Sequence, residues 1–295
     1  MKQDHNNGMF KITPNFLEIS GRRLFSPSIQ YQGSQTDGPK AATAQWNLGA
    51  KKFREGGDST IKFHFVFDPR CNKKLNNDAK RDSVINLVHN ELVKGNYGLN
   101  IGERNDHSKR SIPSFMVNDV RAAIKAAKPD TNSTTVVVLV LFKKDQRFYS
   151  SFKAIVDTEL GFQSLCINYA TLETQSKRGS AGQYVGNLAM KLNLKVGGKN
   201  HHVKHVLDQL EDTIVLGADV THAGVGSVKG TPSIAAVVGS VDSNCGKLLG
   251  SMTLQSRETN LGERIEVRGL QSRFWSCLTK STDDPTYDRY GSTTD

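Results

Sequence analysis

The spacing of hydrophobic and polar residues between positions 59 and 205 switches between a strand period and a helix period. Ile61 to Phe67 alternates like a half-buried strand, and Thr134 to Phe142 is continuously apolar and β-branched, which is typical of a strand buried on both faces of a parallel sheet. Ser164 to Ile167 predicts a third, shorter strand. Helical spacing predicts four helices, over Asp78–Lys94, Val117–Lys128, Tyr149–Leu160 and Gly182–Leu194. Strands that alternate with helices predict an open α/β domain of the Rossmann-like class.

The apolar pattern changes after residue 205, where three strand-like runs follow one another without a helix between them. They span residues 213–220, 233–240 and 247–255, and turn-rich loops separate them. Consecutive strands of this kind predict an antiparallel meander and the start of a second domain. The first run contains Ile214 to Leu216 and predicts a buried strand that ends near a carboxylate, Asp219.

Residues 1–58 contain few periodic runs and several prolines and glycines, so we expect them to form a linker. The predicted organisation is a linker over 1–58, an α/β domain over 59–205, and the first part of another domain over 206–295. Residues 261–295 have weak periodicity and end in a polar tail, DDPTYDRYGSTTD.

The charge balance favours a polyanionic partner. Lys and Arg total 39 against 29 for Asp and Glu, which gives a formal net charge of +10. Such a surplus indicates binding to nucleic acid or to an acidic membrane surface. No run of about 18 apolar residues predicts a membrane span, and the N-terminus lacks the apolar core of a signal peptide. The four cysteines lack CxxC spacing, so we expect reduced thiols and a location in the cytoplasm, with the nucleus as the alternative.

Basic side chains concentrate after the buried strand and along two helices. The loop that follows the strand carries Lys143, Lys144 and Arg147, and ligands of parallel α/β sheets bind where strands end and helices begin. Two further pairs have helical i, i+4 spacing, which puts each pair on one helix face: Tyr149 with Lys153, and Lys191 with Lys195. These pairs are predicted to converge on a phosphate, with the tyrosine able to stack under a base. The alternative is that the lysines are solvated helix residues and the tyrosine a half-buried packing residue.

Four segments carry a resemblance to a known family: GRRLFSPSIQY at 21–31, YSSFKAIVDTELGFQSLC at 149–166, NLAMKLNLKVGG at 187–198, and VLGADVTHAG at 215–224 followed by PSIAAVVGS at 232–240. In this order and at these spacings the chain resembles a eukaryotic Argonaute, of the fungal type. The resemblance covers roughly residues 10 to 258. It implies the second linker, then a Rossmann-like MID domain, then the first strands of an RNase H-like PIWI domain.

The resemblance implies a pocket that holds the 5′-phosphate of a small, single-stranded guide RNA. Tyr149 would stack on the first base, and Lys153, Lys191 and Lys195 would bind the phosphate. The loop from Lys144 to Arg147 would face the first base.

One position departs from the family pattern. A glutamine that contacts the phosphate often precedes the cysteine of the strand after the Tyr149 helix, but here that residue is Leu165. Gln163 or Thr158 would have to replace the contact, or the pocket has one ligand fewer. The resemblance also implies target RNA and silencing-complex proteins as partners of the parent protein, and no membrane.

Asp219 matches the first of the acids that hold two divalent ions, Mg²⁺ or Mn²⁺, in Argonautes that cleave RNA. The other acids of that site lie beyond residue 295 in the family, and neither Glu263 nor Glu266 matches one of them. Asp219 is therefore expected to be an isolated carboxylate, and guide binding is predicted rather than catalysis. An endoribonuclease activity of the parent protein and a protein-binding scaffold are the alternatives.

Histidines are predicted to have no metal role. His222, three residues after Asp219, is expected to pack or to form a hydrogen bond. The group His201, His202 and His205 has a spacing that could hold a metal, but no nearby cysteine or acid completes a site, so we expect a loop or linker feature.

Overall fold

A computed structural model of the chain describes residues 16, 18–21, 26–36, 48–49, 51–129, 131–204, 210, 213–222, 224, 227–228, 230–242 and 245–255. The predicted tail at 261–295, together with His205, lies outside the described residues. Within the described part, no helix has the length and apolar content needed to cross a membrane.

The described strands are β1 (Ile29–Tyr31), β2 (Ser34–Thr36), β3 (Thr60–Phe67), β4 (Ser108–Ser111), β5 (Ser133–Leu141), β6 (Gln163–Asn168), β7 (His202–Val203), β8 (Leu216–Thr221), β9 (Ser233–Ser240) and β10 (Leu248–Gln255). The α-helices are α1 (Asp78–Gly95), α2 (Val117–Lys125), α3 (Gln146–Lys153), α4 (Tyr169–Lys177) and α5 (Ala181–Lys195). A π-helical segment, Ala154–Glu159, continues α3.

A parallel four-stranded sheet with the order β4-β3-β5-β6 forms the centre of the α/β domain. Helices α1, α4 and α5 pack on one face of this sheet, and α2 and α3 pack on the other. The six residues from Val136 to Leu141 are all buried, because β5 lies in the interior of the sheet between two helical layers. The predicted parallel α/β architecture is confirmed.

Part of the predicted linker is built into this domain. The hairpin of β1 and β2 extends through β7, so residues near position 30 pair with residues near position 203. Tyr31 and Phe53 are buried in the core on the α1 and α5 side. Gly198 allows close backbone approach, since a Cβ atom there would lie 2.6 Å from the carbonyl oxygen of Glu55. Burial of apolar residues from the linker therefore helps to stabilise the domain.

Strands β8, β9 and β10 form a separate antiparallel sheet with the order β10-β9-β8. The predicted meander is confirmed, but the prediction that its first strand is buried is wrong. Ile214 and Leu216 are 52% and 59% exposed. On β10, Met252 and Leu254 are 72% and 68% exposed. The observed strand β8 begins at Leu216, three residues after the predicted start, and in the described residues no layer covers these side chains.

Two elements carry too little hydrophobic pattern to be predicted. Strand β4 consists of Ser-Lys-Arg-Ser at the sheet edge, and α4 has one buried residue, Leu172. The available signal for α4 was its N-cap, since the side chain of Asn168 accepts a hydrogen bond from the backbone N–H of Thr171. Helix α3 also begins three residues before the predicted Tyr149.

A histidine pair links α1 to the segment before β4 and makes the stability of the domain sensitive to pH. His107 Nδ1 accepts a hydrogen bond from the backbone N–H of Phe63, and its Nε2 lies 3.1 Å from His89 Nδ1. Burial, with the nearby charges of His89 and Arg104, lowers the pKa of His107 to about 4. The folded state therefore disfavours the protonated ring, which is favourable in the unfolded chain below pH of about 6.5.

We expect the free energy of unfolding to be highest above about pH 6.5 and to fall as the pH approaches 4. His107 alone should cost about 2 kcal/mol between pH 7 and pH 5. Urea unfolding at both pH values measures the change, and His107→Gln should make the profile shallower. Part of the pH dependence should persist, because burial also lowers the pKa values of His64, His89 and His201. His222→Gln, at an exposed histidine, should leave the profile unaltered. Equal pH dependence in all three proteins would contradict this assignment.

Candidate nucleic-acid interface

Asp145 is the N-cap residue of α3, the helix that carries Tyr149 and Lys153. The carboxylate of Asp145 accepts a hydrogen bond from the backbone N–H of Phe148, and the Asp145 carbonyl accepts one from the N–H of Tyr149. The N-cap contact satisfies a backbone donor that the helix itself leaves unpaired. Phe148 and Phe152 face the core. Tyr149 and Lys153 consequently occupy an adjacent, partly exposed face of α3.

The side chains of Lys153, Asp157 and Ser164 contact one another, and Ser164 belongs to β6. Its Nζ atom lies 2.8 Å from Oδ2 of Asp157 and donates a hydrogen bond to Oγ of Ser164. The hydroxyl of Ser164 in turn donates to Oδ1 of Asp157 at 2.9 Å. Asp157 and Ser164 were not predicted as site residues, although Asp157 lies at i+4 from Lys153 and that spacing was an available signal.

The three predicted phosphate-binding lysines all lie close enough to Cys166 for their charges to act on its thiol. Burial raises the pKa of Cys166 to about 12, even though positive charges on Lys153, Lys195 and Lys191 act to lower it. Burial also lowers the pKa of Lys195, and the charge of Lys153 lowers it further. A lysine pKa lowered by another lysine indicates mutual repulsion, which an anion bound between them would relieve.

The lysine cluster, defined as Lys153, Lys191 and Lys195, lies along the open edge of the sheet. Strand β6 is an edge strand, with α3 on one face and α5 on the other, so lysines from both helices reach the same edge. Within the cluster, Lys153 contacts Ser164 near the beginning of β6.

Leu165 points away from Lys153, because successive side chains along β6 alternate between the two faces of the sheet. It is 7% exposed and packs in the core formed with α1 and α5. Gln163 shares that side by the two-residue period of a strand, whereas Ser164 and Cys166 face α3. The Thr158 hydroxyl donates to the carbonyl of Ala154 in its own helical turn. Ser164 is thus the residue of β6 that contacts Lys153.

Lys144 and Arg147, predicted to face the first base, are exposed on either side of the Asp145 cap. Neither side chain forms a hydrogen bond or an ion pair with another described residue. The structure therefore leaves both cations available to a ligand at the start of α3, apart from the lysine cluster.

An ion-pair network that the sequence did not reveal fixes the start of α3. Arg70 contacts the carboxylate of Asp68 through Nε and Nη2, at 3.0 and 2.6 Å, and reaches Asp145 through Nη1 at 2.8 Å. Asp68 is fully buried and also accepts a hydrogen bond from the backbone N–H of Phe142. This Arg70 network, formed by Arg70, Asp68 and Asp145, joins the ends of β3 and β5 to the cap of α3.

The surroundings of Asp219 do not fit a divalent-metal site in the described part of the chain. Asp219 is exposed on β8 opposite Ala236 of β9. A search of the described residues finds no group of three or more His, Cys, Asp or Glu side chains that could hold a metal ion. His222 lies beside Ser233, with 3.3 Å between Nδ1 and Oγ, which fits its predicted hydrogen-bonding role. His201 packs against the ring of Tyr31.

Comparison with known proteins finds relatives over most of the chain. The family model described as the Piwi domain matches residues 136–279. Argonaute 2 of rice is 30% identical over 242 residues, which is 78% of this chain and 23% of that protein. The crystal structure of Kluyveromyces polysporus Argonaute with a guide RNA has a TM-score of 0.66 at 20% identity, over 89% of this chain and 32% of that chain. The MID-PIWI structure of Neurospora crassa QDE-2 has a TM-score of 0.56 at 21% identity, over 81% of this chain and 62% of that one.

These comparisons support the predicted order of a Rossmann-like MID domain followed by RNase H-like PIWI strands. The chain spans about a quarter of the length of the curated relatives it matches. Plant and fungal proteins both match, so a fungal source stays a prediction, as do the domain boundaries at residues 58 and 205.

Proposed function

The chain belongs to the Argonaute family, and from this premise we propose that it serves RNA-guided silencing by binding the 5′-phosphorylated end of a single-stranded guide RNA. The observation that carries the proposal is the contact of Lys153 with Ser164 on the edge strand β6, with Lys191 and Lys195 of α5 close enough for their charges to act on the neighbouring Cys166. Asp157 pairs with Lys153, and its charge also acts on Lys195. A phosphate dianion would offset the remaining repulsion through charge-assisted hydrogen bonds.

In this proposal Lys153 and Lys195 hold the phosphate from opposite sides of β6, and Lys191 adds charge at the exposed rim. Tyr149, one turn before Lys153 on the same face of α3, stacks on the first base. Lys144 and Arg147 are accessory contacts near that base. Gln163 is a further accessory candidate, and the strand period places it on the α5 side of β6, away from Lys153.

The proposed partners of the whole protein are guide RNA, target RNA and silencing-complex proteins, and the proposed location is the cytoplasm. The relative crystallised with a guide RNA supports a nucleic-acid partner. Because the contacts are ionic, affinity should fall steeply as salt is added.

A metal-dependent endoribonuclease activity is the second function considered. The family is RNase H-like and generally metal-dependent, and Asp219 corresponds to one acid of such a site. Among the described residues, Asp219 belongs to no group of three or more His, Cys, Asp or Glu side chains that could hold a metal ion, so we derive no cleavage step for this chain.

Asp157 provides the sharpest test of the phosphate pocket. Because its carboxylate pairs with Lys153 and would repel a phosphate, Asp157→Asn should tighten binding of 5′-phosphorylated RNA by roughly two- to fivefold, the size of a partly exposed ion pair. Fluorescence titration of short RNAs with a 5′-phosphate or a 5′-hydroxyl measures the effect. Binding of the hydroxyl RNA should change much less. An equal gain for both RNAs would show only a change in total charge and would count against the pocket.

A further inference from the structure

A buried hydroxyl group lies at the centre of the contact that holds Lys153. Ser164 is 1% exposed, and its side chain lies on the face of β6 that is turned toward α3. Its Oγ atom accepts a hydrogen bond from Nζ of Lys153 and donates one to Oδ1 of Asp157 at 2.9 Å. Burial of a hydroxyl is costly unless it is paired, and these two partners satisfy it.

The direction of both hydrogen bonds follows from the chemistry of the three groups. An ammonium group has only hydrogen-bond donors, and an ionised carboxylate has only acceptors. The hydroxyl of Ser164 must therefore accept from Lys153 and donate to Asp157, because the reverse arrangement is impossible. Ser164 consequently turns a lone pair toward the ammonium in one fixed orientation.

The backbone around Asp157 adopts a rare conformation that supports this arrangement. Residues Ala154–Glu159 form a π-helical turn, in which the backbone N–H of Leu160 donates to the carbonyl of Ile155 at 3.1 Å. Such turns are rare inside helices and are frequent at functional sites. Asp157 lies in this turn, with Oδ2 at 2.8 Å from Nζ of Lys153. A carboxylate and a hydroxyl from two different elements therefore hold the same ammonium group.

We propose that Ser164 is a positioning residue for recognition of the RNA 5′-phosphate, which it serves by fixing the ammonium group of Lys153. This role rests on the proposed function of the lysine cluster. A mobile lysine side chain loses rotamer entropy when it binds a ligand, and an ammonium group that is already held loses less. Asp157 also holds the ammonium, but its charge repels a phosphate. The neutral hydroxyl of Ser164 orients Lys153 without that repulsion.

The test uses the complete chain and two short RNAs of identical sequence, one with a 5′-phosphate and one with a 5′-hydroxyl, titrated by fluorescence anisotropy. Valine and threonine have nearly the same shape, so Ser164→Val and Ser164→Thr differ chiefly in the hydroxyl group. Ser164→Val should lower the affinity ratio of phosphorylated to hydroxyl RNA about three- to tenfold, the range for loss of one hydrogen bond. Ser164→Thr should keep the wild-type ratio. Ser164→Ala should lower the ratio as Ser164→Val does, and it provides the test if the larger side chains unfold the protein.

Lys153→Ala separates the role of Ser164 from the proposed guide site itself. Because Ser164 acts through Lys153, adding Ser164→Val to Lys153→Ala should lower the affinity ratio no further. A further loss in the double variant would overturn the positioning role, because Ser164 would then act on the phosphate without Lys153. Wild-type ratios in Ser164→Val and Ser164→Ala, with a loss in Lys153→Ala, would overturn the role of Ser164 and leave the guide site in place. An unchanged ratio in Lys153→Ala would overturn the guide site and the positioning role with it.

Discussion

Replacing Arg70 with alanine should destabilise the α/β domain by about 3–5 kcal/mol, as expected when one partner of a buried ion pair is removed. The carboxylate of Asp68 has no exposure, and Arg70 supplies its contacts from Nε and Nη2. Without the guanidinium, Asp68 would keep only backbone donors around a buried charge. Asp145 would lose its contact as well, which loosens the start of α3. Urea unfolding monitored by circular dichroism measures the change.

Two further variants test whether the loss of stability comes from the unpaired buried charge or from removal of any surface arginine. Arg121→Ala removes an arginine from an exposed pair with Glu159, and it should hardly alter the unfolding midpoint. Adding Asp68→Asn to Arg70→Ala should recover part of the loss, because the side chain left behind is then neutral. An Arg70→Ala protein as stable as Arg121→Ala would contradict the role given to the network.

Replacing Lys153 with alanine should weaken 5′-phosphate-dependent RNA binding by about 1.5–3 kcal/mol, the range for a hydrogen bond to a charged group. The loss should approach the upper value, because Asp157 would remain beside the phosphate without its lysine partner. Affinities for phosphorylated and hydroxyl RNA, measured in the same buffer, give the phosphate-dependent part.

Lys94 provides the matched control for this substitution. It is an exposed lysine in the last turn of α1, outside the lysine cluster, and Lys94→Ala should leave the affinity ratio for the two RNAs unaltered. Adding Asp157→Ala to Lys153→Ala should restore part of the binding by removing the repulsive carboxylate. Unchanged affinity of Lys153→Ala for phosphorylated RNA would show that the phosphate is held elsewhere.

Local patterns predicted the elements whose hydrophobic residues are periodic, and they missed those without such residues. The buried run in β5 and the helical spacing of α1 led to correct elements, because burial of these side chains requires that periodicity. Strand β4 is entirely polar, and α4 buries a single leucine, so hydrophobic spacing carried no information about either.

Helical spacing predicted the two pairs of candidate residues, and the resemblance to Argonautes implied that they form one phosphate site. Spacing placed Tyr149 with Lys153 and Lys191 with Lys195, each on one helix face. Bringing the two helices together depends on the strand order, which makes β6 an edge strand between them. No local pattern encodes strand order.

Contacts between residues far apart in the sequence could not be predicted from local patterns either, because they also depend on strand order. Arg70 and Asp145 are 75 residues apart and meet at 2.8 Å, because the ends of β3 and β5 are neighbours in the sheet. Ile214 and Leu216 were predicted to be buried, but both are exposed. Their apolar character indicates a strand, but burial depends on a covering layer that composition does not specify.

The most direct test of guide 5′-end binding compares two short RNAs of identical sequence, one with a 5′-phosphate and one with a 5′-hydroxyl, at two salt concentrations. Binding through the lysine cluster predicts tighter binding of the phosphorylated RNA, with an advantage that shrinks as salt is added. Equal affinity at both salt concentrations would contradict the account, because the positive charge of the chain would then bind RNA without recognising its 5′ end.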